Sequence, residues 1–300
     1  MQFHDMLYNL LLLLAIILLC FIVYKSFQKN QDFQEGFEQS DAFILKINES
    51  IYDEFYVEVY DELMQSKKRA KEQTDLIIKT VPIDKEKSRI LDIGSGTGSN
   101  VSYVTHLGYR IEGIDKSDEM VKKSKELYNT IHIKNGDVTI PMEYEHGIFT
   151  HILCSHFTIY EMEDKMSFLK NCYFWLKGRG LLIVHLVDRN KFSPIIPSAN
   201  NGSILETSDQ RITKTVIDYN GYNYSSNYEF NNDSVFHKET FVDKKTKHIR
   251  QNEQTLYMEN HKDILKMAIK VGFTIKDNIP LDKSSSFMND QWLFILERTL

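Results

Sequence analysis

Between residues 89 and 187 short apolar runs alternate with amphipathic ones, and that alternation leaves the chain very few folds. Residues 89–93, 110–115, 130–134, 149–154 and 180–187 read as strands, and 99–107, 117–127 and 164–176 show the 3.6-residue spacing of helices. Such a sequence buries its apolar faces as a parallel sheet covered by helices and wound right-handed. Ahead of it, Tyr52, Phe55, Tyr56, Val59, Tyr60 and Leu63 recur at helical spacing behind Ser50, a candidate N-cap with Asp53 three residues on. A second helix is expected over 70–80. Residues 188–258 change character: Pro194 and Pro197 interrupt them, and RITKTVIDY, SVFHKETFV and HIRQNEQTLY suggest antiparallel strands. A helix over 261–270 and strands over 273–278 and 290–297 complete the pattern.

The N-terminus is a different kind of chain. Residues 7–24, LYNLLLLLAIILLCFIVY, contain no charge and only Asn9 as a strongly polar side chain. As a helix they span roughly 27 Å, close to a bilayer's hydrocarbon core. Tyr8 and Tyr24 sit where interfacial aromatics belong. A cleaved signal peptide needs a basic start and a small-x-small exit, and MQFHD and FIVYKSF supply neither. The expectation is an uncleaved transmembrane anchor over 1–24, with a signal peptide or a buried hydrophobic hairpin as the alternatives. Lys25 and Lys29 follow the span and Asp5 precedes it, which places the remainder of a single-pass membrane protein in the cytosol. Residues 25–47 read as a polar juxtamembrane linker, and 48–300 as one domain with a β-rich insert over 188–258.

Composition narrows the function. At 42% apolar and 26% charged residues the chain is globular rather than disordered. A net charge of −6 makes it a poor partner for nucleic acid, although Lys244, Lys245, Lys247 and Arg250 are candidates for a local basic patch. Cys20, Cys154 and Cys172 form neither a disulfide framework nor a metal-ligand spacing, so no metal is expected.

The chemical signal is ILDIGSGTGSN, residues 90–100. Gly94, Gly96 and Gly98 fall at a strand-to-helix turn, where they permit positive φ and close approach of a ligand to the backbone. A dinucleotide fingerprint would place a glycine at position 99, which is Ser99, and no Gly-Lys-Ser/Thr follows as in a P-loop. Asp92 would be unhelpful beside a pyrophosphate and suits a ligand carrying positive charge. S-adenosylmethionine has that charge distribution. Asp115 ends the second strand, 17 residues after Gly98, and can accept hydrogen bonds from both ribose hydroxyls. Asp137 follows the third strand and is placed to meet an adenine amino group.

On ILDIGSGTGSN, IEGIDKSDEMVKKSKE, NGDVT, FTHILCSHFTIYEMED and LKGRGLLIVHLV, the chain resembles the class I S-adenosylmethionine-dependent methyltransferases over roughly 52–298. The resemblance implies a Rossmann-like α/β fold, with a seven-stranded sheet of order 3-2-1-4-5-7-6 whose last strand is antiparallel. It implies that Asp92, Gly94, Ser95, Gly96 and Gly98 lie against the methionine end of the cofactor. Asp115 would serve the ribose, and Asp137 and Val138 the adenine, with Lys116 also among the cofactor-binding residues. Cys154 to His156 would line the methyl-transfer face. One departure is visible: the family's usual Leu-Lys-Pro-Gly-Gly reads Leu176-Lys177-Gly178-Arg179-Gly180, in a turn remote from the cofactor.

Methyl transfer from a sulfonium chiefly requires that nucleophile and methyl be held in line. A base is needed only where the acceptor must lose a proton. His156 and Tyr160 are the catalytic candidates, with His185 behind them; packing against the cofactor is the competing role for each. Tyr52, Tyr56 and Tyr60 form either a lid or a core stripe, and the insert either a substrate cap or a dimerisation sheet. Cys154-Ser155-His156-Phe157 departs from the Pro-Pro-aromatic run of amino-methyltransferases of DNA. A small-molecule or lipid-like acceptor at the membrane fits the anchor best. A protein acceptor, or a silent cofactor-binding module, is the alternative.

Overall fold

Seven strands form the central sheet because five apolar runs pair in parallel and two late ones close its far edge. The computed structural model describes residues 8, 11–23, 39–199, 202–232, 234–281 and 289–300. In chain order the elements are β1 (Phe43–Ile47), α1 (Glu54–Leu63), α2 (Ser66–Thr80), β2 (Ile90–Ile93), α3 (Ser99–His106), β3 (Ile111–Asp115), α4 (Asp118–Leu127), β4 (Ile133–Asn135), β5 (Phe149–Cys154), α5 (Thr158–Glu161), α6 (Lys165–Trp175) and β6 (Leu176–Val187). Then follow β7 (Ile204–Ser208), β8 (Arg211–Asp218), β9 (Tyr222–Phe230), β10 (Val235–Asp243), β11 (Ile249–Leu256), α7 (His261–Val271), β12 (Phe273–Pro280) and β13 (Gln291–Arg298).

The central sheet runs β12-β13-β6-β5-β2-β3-β4. Numbered by their order within this sheet, its strands run 3-2-1-4-5-7-6, as the resemblance implies. β13 is antiparallel to both β6 and β12, and the others pair in parallel. β2 is buried at all four positions, as a strand covered on both faces must be. The main core joins β5 and β6 to α6 and α7 through Phe149, Leu182, Phe168, Trp175 and Ile264.

The region after β6 forms a second sheet, of order β1-β11-β10-β9-β8-β7. Its strands are antiparallel except that β1 runs parallel to β11. β1 falls in the stretch that the sequence reads as linker. Its alternating FILKI is too short to announce a strand alone, and its partner lies about 200 residues away, from Phe43↔Ile249 onward. α1 packs on this sheet through Tyr56, Val59 and Leu63 against Tyr222, Tyr224 and Phe241. Asp53, rather than Ser50, caps α1 by accepting the Tyr56 N–H at 3.2 Å; the Ser50 hydroxyl instead accepts the Ile47 N–H. α2 begins at Ser66, earlier than expected.

Of the expected anchor, residues 11–23 are helical and exposed, as is Tyr8. Among the described residues no helix is long and apolar enough to cross a membrane. Residues 1–7, 9, 10 and 24, and most of the expected linker, 25–38, lie outside the described residues.

One half-buried ion pair locks the second sheet to α1. Arg250, only 2% exposed, extends Nη1 and Nη2 to the two oxygens of Asp53, each at 2.9 Å, and donates to the Ile51 carbonyl at 3.1 Å. Arg250 therefore belongs to the core and not to a basic patch. Beside it Glu239, also buried, accepts from the hydroxyls of Tyr56 at 3.1 Å and Tyr224 at 2.6 Å. Removing the Asp53 carboxylate would strand a buried guanidinium. Asp53→Ala is expected to lower stability by about 3 kcal/mol in urea unfolding, well above the ~1 kcal/mol of a lost N-cap. A loss of only about 1 kcal/mol would show that the cap alone matters.

Candidate functional site

A cavity of about 620 Å³ opens at the C-terminal ends of β2, β3 and β5, where parallel α/β sheets place their ligands. Its floor is the glycine turn after β2. Gly94 sits at φ +64, and a Cβ there would come within 2.4 Å of the Thr158 side chain, so only glycine lets α5 approach the turn. Gly96, at φ +53, donates its N–H to Asp115 Oδ2 at 2.7 Å. Ser117 N–H holds the other Asp115 oxygen at 2.9 Å. These two bonds aim the carboxylate into the cavity, while burial pushes its pKa up against them. Gly98 (φ +85) caps α3 at the end of the turn.

At one end of the cavity Asp137 accepts from Thr139 N–H at 2.9 Å and pairs with Lys116 at 2.9 Å. Burial raises its pKa, but the bonds from Thr139 and Lys116 outweigh that and hold it below the usual carboxylate range. Lys116 also reaches Glu49 at 2.5 Å. Val138 lies beneath, among the buried residues.

A smaller cavity of about 60 Å³ adjoins, lined by Arg69, Gln73, Ser66, Asp92, Ser95 and His156 among others. Asp92 is 3% exposed and accepts the Asn100 amide at 2.8 Å. Burial, with a smaller contribution from Asp115, pushes it up to about 7 against the opposing effects of Asn100 and Arg69. Ser66 Oγ, Gln73 Nε2 and Ser95 Oγ are buried here with no hydrogen-bond partner among the described residues. Buried polar atoms are rarely left unpaired, so three around one small space mark a place built for a polar ligand.

The catalytic candidates separate. His156 lines both cavities and adopts φ +53. Burial, then Arg69 and His185, hold its pKa well below the ordinary value, so its imidazole is neutral. Tyr160 does not reach the cavity: it is fully buried, and its hydroxyl accepts the Val187 N–H at 2.9 Å. Cys154 is likewise buried, 1% exposed, with its thiol pKa raised first by burial. His185 is buried beneath His156, with Nδ1 2.6 Å from the His156 carbonyl. The tyrosine stripe divides: Tyr56 is core, whereas Tyr52 and Tyr60 face the cavity.

Sequence reasoning missed Arg69, Glu161 and Gln254. Glu161 ends α5 and its side chain is open to the cavity. Tyr52 donates its hydroxyl to Glu161 Oε1 at 2.8 Å, and Gln254 reaches the same hydroxyl at 3.4 Å. Burial among these groups pushes Glu161 up to about 7; Tyr52 and Gln254 oppose this and Asp115 adds to it. The insert reaches the cavity through the end of β11, with Gln254, Thr255 and then Tyr257 on its wall. Arg69 gives no motif, because its role depends on α2 lying across the glycine turn.

His185 makes the effect of burial measurable. Its pKa is lowered from 6.5 to about 4, first by burial. The unfolded chain thus binds more protons between those values, and stability gains with rising pH there. His185→Gln is expected to remove about 3 kcal/mol of that gain between pH 4 and 6.5, read from urea unfolding across pH. An unchanged slope would refute a neutral His185.

Residues 91–184 match the family of the methyltransferase domain. A glycine/sarcosine N-methyltransferase of Aphanothece halophytica is 29% identical over 143 residues, covering 44% of this chain and 52% of that protein. A phosphoethanolamine N-methyltransferase of Plasmodium falciparum is 29% identical over 118 residues, covering 38% and 44%. The chain thus spans about half the length of these curated relatives. Among solved structures, an S-adenosylmethionine-dependent methyltransferase of Clostridium acetobutylicum superposes with a TM-score of 0.60 at 15% identity, over 82% of this chain and 98% of that one. An amino pentose methyltransferase of Micromonospora echinaspora does so at 0.56 and 16%, over 83% and 98%. At these identities the likeness is one of fold.

Proposed function

We propose that this protein transfers the methyl group of S-adenosylmethionine to a small-molecule acceptor. The observation that carries the reading is the pair of joined cavities, whose polar groups match that cofactor end to end. Asp92 suits the amino group of its methionine portion. Arg69, Gln73 Nε2 and the Ser66 hydroxyl are donors for its carboxylate, and the unpaired Gln73 and Ser66 atoms gain the partners they lack. Asp115 suits the ribose hydroxyls, and Asp137 and Val138 the adenine. The bound cofactor supplies an activated methyl group on a cationic sulfur. The protein's part is to fix the acceptor in line with it and to keep water out. The methyltransferase domain over 91–184 and the N- and O-methyltransferase relatives support the same reading.

Asp115→Ala is expected to weaken S-adenosylmethionine binding at least about 30-fold in calorimetry, because it removes charge-assisted bonds to two hydroxyls. Near-wild-type affinity would sink the assignment. Asp92 adds a signature of its own. A group titrating near 7 ionises when a cation binds beside it, so binding at neutral pH should release a fraction of a proton. Calorimetry in buffers of different ionisation enthalpy reads that proton, and Asp92→Asn should reduce it. Transfer of labelled methyl groups into the small-molecule fraction of a cell extract tests the activity itself; label confined to protein would favour the protein-acceptor alternative.

We further propose that the apolar N-terminal segment holds the enzyme at a membrane, with the catalytic domain on the cytosolic side. The helix over 11–23, exposed at every position, supports this. The full chain should float with lipid vesicles and a chain lacking 1–24 should not. Flotation of the truncated chain would refute the tether.

A further inference from the structure

We propose that the methyl acceptor is an amine that arrives as an ammonium ion, and that Glu161 receives it and takes its proton. The inference rests on the methyltransferase reading and goes further by naming the acceptor class and the group that handles it.

Glu161 stands on the wall of the large cavity just beyond β5, on the same connection as His156 and Thr158, which face the glycine turn. Two other elements hold it there. Tyr52, just before α1, donates to one carboxylate oxygen at 2.8 Å, and Gln254 of β11 steadies that tyrosine. The Glu161 side chain lines the cavity. Glu161 makes no ion pair among the described residues. The cavity's lysine, Lys116, is already engaged by Glu49 and Asp137. Glu163 and Asp164 line the same wall and add no positive charge. A neutral acceptor would leave this carboxylate without a counter-charge, whereas an ammonium ion would give it a charge-assisted partner. The rings of Tyr52, Tyr60 and Tyr257 offer the aromatic surface that cations favour.

The chemistry balances. One N–H proton passes from the ammonium to the Glu161 carboxylate, which frees the nitrogen lone pair. That pair forms the new N–C bond to the methyl group while the carbon–sulfur bond breaks, and the broken bond's electrons stay on sulfur. The amine leaves as a methylated ammonium ion, and Glu161 returns its proton to water. A carboxyl group held near 7 suits this exchange at neutral pH. His156, kept neutral, adds no competing positive charge.

The test uses the full protein loaded with S-adenosylhomocysteine, and two probes of one shape, phenethylamine and 2-phenylethanol, in calorimetry. The wild-type protein should bind the amine at least about tenfold more tightly than the alcohol, as a charge-assisted bond requires. Glu161→Gln should erase that preference, and Tyr52→Phe should reduce it, with S-adenosylhomocysteine still bound by each variant. No preference in the wild-type protein, or an undiminished preference in Glu161→Gln, overturns the inference. Should the wild-type protein fail to bind S-adenosylhomocysteine, the methyltransferase reading itself falls. Acetylating the amines of a cell extract beforehand should block labelling of its small molecules. Label that survives acetylation overturns the amine assignment while leaving methyl transfer intact.

Discussion

The acceptor side of the cavity depends on the ion pair between Arg250 and Asp53. The two residues lie 197 positions apart, yet each oxygen of the carboxylate meets a nitrogen of the guanidinium. A pair of this kind adds little net stability over apolar packing, because the guanidinium gives up its water, but leaving the buried Arg250 without its carboxylate is costly. Its consequence is therefore register. Asp53 starts α1, so fixing it also fixes the neighbouring Tyr52. Arg250, Asn252 and Gln254 alternate along β11 and share one face, so fixing Arg250 aims Gln254 at the same point. Tyr52 and Gln254 then meet at Glu161, which belongs to neither element.

Burial governs the charges inside the cavities more than pairing does. Asp92, Asp115 and Glu161 are all pushed toward their protonated forms, and His156 and His185 toward their neutral ones. In each case burial is the leading cause, and it acts against charge of either sign. The chain lists these groups as three anions and two potential cations, but the folded cavity is closer to neutral. A cationic ligand reverses this locally, because a positive charge beside a carboxyl group restores its ionisation. Asp137 is the exception that fits the rule. Lys116 and Thr139 already supply the donors it needs, so it stays ionised without a ligand.

The cofactor side was legible because its residues are close in sequence. Strand ends, a glycine turn and three acids fall between positions 92 and 138, and periodicity alone places them at one end of a parallel sheet. The strand order was implied by the resemblance to the methyltransferase family rather than by the alternation itself. The acceptor side was not legible, because it is assembled by contacts 109 and 202 residues apart. The error at α5 is instructive. Tyr160 and Glu161 are neighbours, but successive helical residues point about 100° apart. Tyr160 turns into the core to meet the Val187 N–H, and Glu161 turns to the cavity. Without the direction of that single turn, the aromatic hydroxyl reads as the more attractive chemistry. β1 was missed for a related reason: five alternating residues become a strand only when β11 is there to receive them.

The glycine turn and the wall that carries Glu161 meet at Gly94 and Thr158. Gly94 carries no side chain, and Thr158 occupies the space a Cβ would fill, with its own carbon 2.4 Å from that position. α5, which carries both Thr158 and Glu161, can sit this close to the glycine turn only because of that missing atom. A larger residue at 94 would disturb the turn and also push α5 outward, carrying Glu161 away from Tyr52. The glycine that looks from the sequence like part of a cofactor turn is therefore equally a spacing element for the acceptor. It sets the distance between the floor of the cavity and the carboxylate on its wall, and it does so through contact rather than charge.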